Sequence, residues 1–345
     1  MKAALLTGIR KVEILDIPKP RLTRDTDVLV RVSAGGLCGS DIHYYAEGRI
    51  GDQVVRYPFT VGHECAGVIE EAGRSARGLK PGNRVAVDPA VACQTCDQCL
   101  AGRPNTCRRL LFLGTPGQLD GCLSEFIVMP AENCHPLAEG LSFEEGVLVE
   151  PLSIALHSFR LLDFFRPQKI AVLGTGPIGL CVLLAAQASG VSEIFTTDKV
   201  GARVTAARTA GASWSGNPDQ EDIVAEIARR QPGLLDVVFE CSGDPAGLDQ
   251  AVDLLKPGGR LMILGIPAVD RVSFDVHKIR RKEIAIYNVR RQRYCYEEAL
   301  DLIRTKKADV RFLATHEFRL EEAREAFELV AGYRDGVIKA IIRNG

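Results

Sequence analysis

Four cysteines lie close together in a short stretch that is rich in glycine and proline. The stretch "CQTCDQCLAGRPNTC" contains Cys93, Cys96, Cys99 and Cys107. Thiols that are two residues apart in such a loop can converge on one ion, and four thiolates complete a closed tetrahedral shell. The spacing therefore predicts a structural zinc ion. Free or disulfide-bonded cysteines are the alternative interpretation.

A second group of possible metal ligands lies nearer the N-terminus. The stretch "GGLCGSDIHYY" contains Cys38, Ser40 and His43, and "VGHECAG" contains His63 and Glu64. A thiol, an imidazole and a carboxylate are all zinc ligands, so Cys38, His63 and Glu64 could hold a separate, catalytic zinc ion. Each residue alone is ambiguous, because a lone cysteine is usually a core residue and a lone histidine usually has a structural role.

A glycine-rich turn in the second half of the chain has the spacing of a dinucleotide-binding motif. In "GTGPIG", Gly174, Gly176 and Gly179 follow an apolar run and open a helical pattern. The first glycine permits a tight turn, the second lets the backbone approach a pyrophosphate, and the third allows close helix–strand packing. We therefore expect the helix N-terminus to bind the phosphates.

The cofactor preference depends on the residues that follow the next predicted strand. Asp198 ends that strand, about 20 residues beyond the glycines, where an acidic side chain accepts both ribose hydroxyls and repels a 2′-phosphate. This favours NAD over NADP, although Lys199 and Arg203 lie nearby. Alternatively, Asp198 only caps the helix that begins in "KVGAR".

Two different patterns of secondary structure must position these residues. From Met1 to about Leu152, glycine and proline interrupt short strands, which predicts an irregular antiparallel barrel or sandwich. From about Pro167, strands alternate with helices of crossover length, which predicts a parallel, doubly wound sheet. After about Val289, two amphipathic helices and the strand "VIKAIIRN" are expected to return to the first domain.

Composition excludes several classes of protein. The 345 residues suggest two domains, and 43 Lys and Arg against 44 Asp and Glu provide no basic field for a nucleic acid. The N-terminus lacks the pattern of a signal peptide, and the apolar stretch "PIGLCVLLAAQA" is shorter than the roughly 18 residues of a membrane span. A cytoplasmic protein without a membrane partner is expected. The remaining cysteines are interpreted as buried thiols: Cys65, Cys122, Cys134, Cys181, Cys241 and Cys295.

Taken together, these motifs resemble the zinc-dependent medium-chain dehydrogenases, in particular the sorbitol dehydrogenase-like polyol branch. The resemblance covers essentially the whole chain and rests on "GLCGSDIHYY", "GRIG", "VGHE", "KPGNRV", the four-cysteine lobe, "VEPLSIALH", "GTGPIG" and "ECSG". It implies a GroES-like, β-rich catalytic domain over 1–153, to which 290–345 return. It also implies a Rossmann NAD-binding domain over 154–289.

The family pattern implies a catalytic zinc ion held by Cys38 and His63, with Glu64 and Glu150 on its acidic side. One glutamate ligates directly while the other acts through water, and the sequence leaves open which does so. Glu150 stands where familiar alcohol dehydrogenases have a third cysteine, which indicates the polyol side of the family. Some animal sorbitol dehydrogenases lack the four-cysteine lobe that this chain retains.

The implied reaction is NAD-dependent oxidation of a secondary alcohol in a polyol, sugar alcohol or cyclitol to a ketone. Zinc lowers the pKa of the hydroxyl, and hydride passes to the nicotinamide. Ser40 is expected to take the hydroxyl proton and pass it through the cofactor ribose to His43. Alternatively, Ser40 caps a helix that starts at Asp41, and His43 only hydrogen-bonds a phosphate.

Similarity also implies the remaining contacts. The substrate pocket would be lined by Tyr44, Phe112, Thr115, Glu150 and Arg291. Tyr44 and Arg291 could bind further hydroxyls of a polyol, while Gln292 replaces a tyrosine of the family and leaves the exact polyol open. Besides the glycines and Asp198, the cofactor site would include Pro177, Ile178, Lys199, Arg203, Ser242, Leu264, Gly265, Ile266, Val289 and Arg290.

Two other functions remain open from the sequence. An L-threonine 3-dehydrogenase would share the zinc and cofactor motifs. A non-catalytic NAD-binding or structural relative would lack the set of Cys38, His63, Glu64 and Glu150, all of which are present. A homodimer or homotetramer is expected by similarity, formed through the edge of the cofactor domain near "RVSFDVHKIRRKEIAIYNV".

Overall fold

The computed structural model describes residues 1–76 and 78–344, and the chain divides into two units. The first unit contains Met1–Glu150, Tyr296–Lys306 and the chain from Val310 onward. The second contains Pro151–Cys295 and the short segment Lys307–Asp309. Among the described residues, no helix is both long enough and apolar enough to cross a membrane.

The described residues form strands and helices throughout the chain. In chain order, the strands are β1 Lys2–Gly8, β2 Lys11–Asp16, β3 Asp27–Gly36, β4 Arg49–Ile50, β5 Gln53–Val54, β6 Phe59–Thr60, β7 Glu64–Ala72, β8 Arg84–Val87, β9 Ala90–Val91, β10 Leu111–Phe112, β11 Phe126–Pro130, β12 Cys134–Pro136, β13 Lys169–Leu173, β14 Glu193–Thr197, β15 Trp214–Gly216, β16 Leu235–Glu240, β17 Leu255–Ile263, β18 Ala285–Asn288, β19 Ala314–Arg319 and β20 Lys339–Arg343. The α-helices are α1 Gly39–Glu47, α2 Asp97–Leu100, α3 Phe143–Val147, α4 Val149–Arg160, α5 Pro177–Ala188, α6 Gly201–Thr209, α7 Ile223–Arg230, α8 Pro245–Leu254, α9 Val276–Lys282, α10 Tyr296–Arg304 and α11 Ala323–Ala331.

The first unit is built around one mainly antiparallel sheet. Its strands follow the order β12-β8-β7-β3-β20-β19, and β11 also pairs with β3. A smaller sheet has the order β2-β1-β6. The C-terminal segment joins the large sheet because β20 pairs antiparallel with β3, where Ile341 lies opposite Gly36. This pairing brings the last strand of the chain beside residues that precede Cys38.

The second unit is a six-stranded parallel sheet. Its strand order is β15-β14-β13-β16-β17-β18, and each neighbouring pair is parallel. This is the doubly wound order in which the first strand lies centrally and the chain progresses outward in both directions. The predicted doubly wound parallel sheet is therefore confirmed. The carboxyl ends of β13, β14 and β16 lie side by side at one edge, which is where ligands bind in such sheets.

One predicted helix ends earlier than the sequence pattern suggested. The pattern predicts a helix through "LDQAVDLLKPGG", but α8 ends at Leu254 and β17 already begins at Leu255. Pro257 disfavours a helical conformation at the residue before it, and Gly258 has a φ of 75°. Local backbone chemistry therefore overrides the apolar periodicity there.

Candidate active site and cofactor cradle

The four clustered cysteines bring their sulfur atoms together. The Sγ of Cys99 lies 4.0 Å from that of Cys93 and 3.6 Å from that of Cys96, and Cys96 lies 3.8 Å from Cys107. A tetrahedral zinc site with Zn–S bonds of about 2.3 Å separates its sulfurs by about 3.8 Å. The spacing and the all-thiol donor set therefore fit a zinc ion.

Hydrogen-bond donors lie against two of these sulfur atoms, whereas burial raises the pKa of the Cys99 thiol to about 12. The backbone N–H of Cys93 donates to the Cys107 Sγ over 3.3 Å, and that of Arg109 does so over 3.4 Å. The Arg109 guanidinium also lies 3.5 Å from the Cys93 Sγ. The backbone N–H of Thr95 and this guanidinium lower the pKa of the Cys93 thiol. The predicted four-cysteine site is thus preorganised for a cation.

A second ligand group forms at the start of α1 and of β7. One ligand atom from each of Cys38, His63 and Glu64 lies within 4.8 Å of the other two. Cys38 is the N-cap of α1, while Glu64 is the first residue of β7. His63 and Glu64 are buried, and Cys38 is half-buried. This mixture of thiol, imidazole and carboxylate suits zinc.

Asp41 connects the two segments that carry these ligands. It is fully buried, and its carboxylate accepts hydrogen bonds from the backbone N–H groups of Cys38 over 3.0 Å and Gly62 over 3.1 Å. Its Oδ1 also lies 3.6 Å from the His63 Nδ1. Burial lowers the pKa of His63, but the charges of Asp41 and Cys38 raise it well above its usual value overall.

Two further charged residues are buried beside the ligand group. The Lys339 Nζ donates to Glu64 Oε1 over 2.7 Å, to Oε2 over 2.6 Å, and to the Leu37 carbonyl over 3.0 Å. Glu150 lies in the first turn of α4, and burial raises the pKa of its carboxyl to about 7. The charges of His63 and Lys339 lower the pKa of Glu150, whereas the charge of Glu64 raises it. The Glu150 carboxylate does not belong to the set of three converging atoms.

Helix α1 also carries the residues predicted to move the proton and bind substrate. Ser40 lies inside the first turn, and since Cys38 is the N-cap, Ser40 does not cap a helix that starts at Asp41. His43 follows one turn later, where its Nδ1 lies 3.2 Å from the Glu47 Oε1. The buried Tyr44 donates its hydroxyl to the Gln53 Oε1 over 2.9 Å.

The other predicted substrate residues are divided between the two units. In the first unit, the ring of Phe112 lies 5.3 Å from that of His63, and Thr115 is buried in the loop that follows β10. Arg291 belongs to the second unit and has a φ of 52°. Gln292, next to it, is buried, and its Oε1 accepts a hydrogen bond from the backbone N–H of Cys295 over 2.9 Å.

The glycine-rich turn has the geometry of a phosphate cradle. Gly174 has a φ of 90°, and a Cβ there would lie 2.7 Å from the Ser242 nitrogen. A Cβ at Gly179 would lie 1.9 Å from the Gly174 carbonyl oxygen. Gly176 is the N-cap of α5, and Pro177 begins the helix. Glycine is therefore required at both positions for the tight turn and for the close approach of α5 to β13, which are the features of a dinucleotide-binding turn.

Asp198 joins this turn to the next strand. Its Oδ2 accepts a hydrogen bond from the Thr175 N–H, and its Oδ1 accepts one from the Val200 N–H, each over 2.8 Å. Val200, not Asp198, is the N-cap of α6. Arg203 is buried, and its Nη1 lies 3.5 Å from the position of a Cβ on Gly176.

The remaining residues predicted to bind the cofactor follow the carboxyl ends of neighbouring strands. The Glu240 carbonyl accepts hydrogen bonds from the N–H groups of Leu264 and Gly265, over 2.8 and 2.9 Å. The Val289 N–H donates to the Ile263 carbonyl over 2.9 Å, which continues the pairing of β17 with β18. The other positions are in α5 or in loops at this edge of the sheet: Ile178, Lys199, Ser242, Ile266 and Arg290.

Comparison with known proteins agrees with this architecture. The alcohol dehydrogenase GroES-like domain matches residues 24–139, and the zinc-binding dehydrogenase family matches residues 177–305. Sorbitol dehydrogenase of Bacillus subtilis (strain 168) is 36% identical over 343 residues, which cover 99% of this chain and 97% of that protein. This chain belongs to the zinc-binding dehydrogenases. L-Idonate 5-dehydrogenase of Vitis vinifera is 34% identical over 336 residues, with 95% and 91% of the two chains covered.

Solved structures give the same assignment for this zinc-binding dehydrogenase. An alcohol dehydrogenase from Thermus sp. ATN1 has a TM-score of 0.91 at 28% identity, and the match covers 100% of both chains. A zinc-binding dehydrogenase from Sinorhizobium meliloti 1021, bound to NADP, has a TM-score of 0.90 at 29% identity, with 99% and 98% coverage. The predicted family and fold class, a GroES-like domain with a Rossmann domain, are confirmed. The predicted zinc and nicotinamide dependence of the enzyme is confirmed as well.

Sequence reasoning missed two residues of this dehydrogenase site. Asp41 stands three residues after Cys38, which is the spacing of an acidic residue that caps a helix start, and this signal could have identified it. Lys339 interrupts the apolar run of "VIKAII", where a lone charge on a buried strand calls for a buried partner. The identity of that partner, Glu64, had no signal in the sequence.

Proposed function

We propose that this dehydrogenase oxidises a secondary hydroxyl of a polyol, sugar alcohol or cyclitol to a ketone, with NAD as hydride acceptor. The observation that carries the proposal is the convergence of Cys38, His63 and Glu64 with Glu150 buried beside them. Full-length relatives named for sorbitol, D-xylulose and L-idonate support a polyhydroxylated substrate.

In this proposal, Cys38 and His63 hold a catalytic zinc ion, and Glu64 and Glu150 supply its acidic side. A bound zinc ion acts as a Lewis acid that lowers the pKa of the substrate hydroxyl. Asp41 orients the His63 ring and fixes the Cys38 backbone, so that both proposed ligands are held in position before a metal ion binds. The Phe112 ring packs beside the His63 imidazole, and both side chains are buried.

Ser40 and His43 are proposed to move the proton that the substrate hydroxyl loses. The Ser40 Oγ accepts this proton while its own hydroxyl proton passes on, and the His43 imidazole, as the last group of the relay, releases a proton to solvent. The two residues are three positions apart on α1 and therefore share one face of the helix. The Glu47 Oε1 lies 3.2 Å from the His43 Nδ1 and orients the imidazole on the helix.

Recognition of further hydroxyls is assigned to Tyr44 and Arg291, with Thr115 as another pocket residue. The hydrogen bond to Gln53 fixes the Tyr44 hydroxyl, whose oxygen is the acceptor proposed for a substrate hydroxyl. Polar side chains at these positions would favour a substrate with several hydroxyls over a simple alcohol.

NAD is the proposed cofactor because Asp198 stands beside the glycine turn. Two backbone N–H groups orient its carboxylate, and the negative charge of an aspartate at this position disfavours a 2′-phosphate. The four-cysteine cluster is proposed as a structural zinc site. We further propose a cytoplasmic homodimer or homotetramer, which associates through the edge strand β18 of the parallel sheet.

A substrate panel tests the proposed function. Zinc-loaded enzyme is assayed for NADH formation with sorbitol, xylitol, ribitol and myo-inositol, and with 2,3-butanediol and L-threonine for comparison. We expect the highest kcat/KM for one of the polyols. Turnover of L-threonine alone would identify the alternative amino-alcohol dehydrogenase, and absence of turnover with every compound would refute the enzyme assignment.

Metal analysis gives an independent check on the ligand sets. Two zinc ions per chain are expected in the native protein, and Glu150→Gln and Glu64→Gln are compared for the zinc retained after dialysis. The glutamate whose loss releases one zinc ion ligates it directly. Retention of both ions in the two variants would contradict the proposed acidic side of the site.

A further inference from the structure

An ion pair lies beside the cofactor cradle and links two loops of the second unit. The Lys199 Nζ lies 2.9 Å from the Asp244 Oδ2. Lys199 follows β14, and Asp244 follows β16, while β13 with its glycine turn lies between these two strands. The pair therefore forms where the carboxyl ends of three strands meet, next to the turn that contains Gly174 and Gly176.

Both partners are held in place by other contacts. The Asp244 Oδ1 accepts a hydrogen bond from the Ala246 N–H over 3.0 Å and thereby caps α8, which leaves Oδ2 for the ammonium. The Asp244 N–H donates to the Ser242 Oγ over 3.0 Å. The Asn217 Nδ2 donates to the Lys199 carbonyl over 3.0 Å. The backbone on both sides is thus fixed, and the Lys199 side chain is directed towards Asp244.

Lys199 directly follows Asp198, and its position therefore bears on how the adenosine ribose is recognised. Asp198 contacts the Thr175 N–H of the glycine turn, so a ribose bound by Asp198 would lie close to Lys199. A 2′-phosphate on that ribose needs a cation to offset the Asp198 charge. Lys199 is well placed to supply one, since 56% of its side chain is exposed. Arg203 instead lies buried against Gly176.

We infer that Asp244 determines cofactor specificity by holding the Lys199 ammonium away from the 2′ position of the adenosine ribose. The inference rests on the proposed NAD site and adds a second negative charge to the one that Asp198 provides. Without Asp244, the same lysine is free to turn towards a 2′-phosphate. The preference for NAD over NADP thus depends on a residue 45 positions beyond Lys199 as well as on Asp198.

The charge of Asp244 can be removed without loss of the helix cap. Asparagine is as good an N-cap as aspartate, so Asp244→Asn keeps the hydrogen bond to Ala246 and removes only the ion pair. Exposed ion pairs contribute little to stability, so the variant should unfold at the wild-type temperature. An effect on ligand affinity can therefore be separated from an effect on folding.

The test compares two adenosine fragments by isothermal titration calorimetry. In wild-type enzyme, 5′-AMP is expected to bind and 2′,5′-ADP to bind more weakly. Asp244→Asn should lower the Kd of 2′,5′-ADP by roughly threefold to fivefold, which is the size of one exposed charge interaction, and leave the Kd of 5′-AMP unchanged. Adding Lys199→Ala to this variant should abolish the gain for 2′,5′-ADP.

A matched control is available at the other end of the same helix. Asp253, near the end of α8, pairs with Lys278 over 2.5 Å at similar exposure, so Asp253→Asn removes the same charge away from the cradle. This control should leave both affinities at their wild-type values. If the ratio of the two Kd values in Asp244→Asn equals that in wild type, the inference about Asp244 is overturned. Binding of 5′-AMP in the same experiment would still support the proposed cofactor site. Failure of folded wild-type enzyme to bind 5′-AMP overturns both.

Discussion

The ammonium of Lys339 contacts both carboxylate oxygens of Glu64, 2.7 and 2.6 Å away, in a pair that is 1% exposed on each side. The third contact of the ammonium is the carbonyl of Leu37, the residue before Cys38. Lys339 therefore links β20 by hydrogen bonds to β7 and to the segment that precedes Cys38. If Glu64 contributes to the proposed zinc site, one carboxylate has to satisfy both the ammonium and the metal ion.

Replacing Lys339 by methionine leaves the Glu64 charge buried without its cation. Loss of one partner of a buried pair costs about 3 to 5 kcal/mol, so Lys339→Met should lower the free energy of unfolding of the metal-free chain by that order. Adding Glu64→Gln should restore much of this loss, which urea unfolding of the single and double variants measures as a coupling energy. Additive losses would show that the pair does not stabilise the first unit.

The four-cysteine cluster should support stability and not the chemical step. Cys96→Ser removes one ligand from a closed site, so we expect release of one zinc ion per chain and a lower unfolding temperature. The kcat of enzyme that remains folded should stay within about twofold of wild type, because the cluster is separate from Cys38, His63 and Glu64. Colorimetric zinc release and calorimetric unfolding measure the effects. Loss of turnover without loss of stability would contradict the structural role.

Cys38→Ser is the matched change in the other ligand group. Because a serine hydroxyl is a poor zinc ligand, turnover should be abolished, while the cradle at Gly174 and Asp198, which belongs to the second unit, should bind NAD with wild-type affinity. Steady-state assays and calorimetric titration with NAD separate the two effects. Full activity in Cys38→Ser would exclude this cysteine as a ligand of the catalytic ion.

The parts of the site that the sequence predicts are those built from neighbouring residues. The glycine turn and the Cys93 to Cys107 cluster depend on short-range spacing, which sequence shows directly. The Glu64–Lys339 pair joins residues 275 positions apart, and it forms only because β20 returns to pair with β3. The pattern of "VIKAIIRN" predicts the returning strand, but which strand it meets depends on the packing of the whole sheet.

The buried His157 is expected to make the free energy of unfolding of the second unit depend on pH. It is 2% exposed, and burial, together with the charges of Arg293 and Arg160, lowers its pKa to about 4. The unfolded chain takes up the proton near pH 6.5, whereas the folded chain does so only near pH 4. Between these values the unfolded state binds more protons, so the free energy of unfolding falls as the pH falls, by up to about 1.4 kcal/mol per pH unit.

His157→Gln should remove this contribution from the slope between pH 6.5 and 4, which urea unfolding over a series of buffers measures. The exposed His277 provides the matched control, in which the same substitution is made at the surface. Above pH 6.5 both states of His157 are neutral, so the difference in stability between wild type and His157→Gln should become constant there. An identical slope in wild type and His157→Gln would show that the imidazole takes up its proton as readily in the folded chain as in the unfolded one.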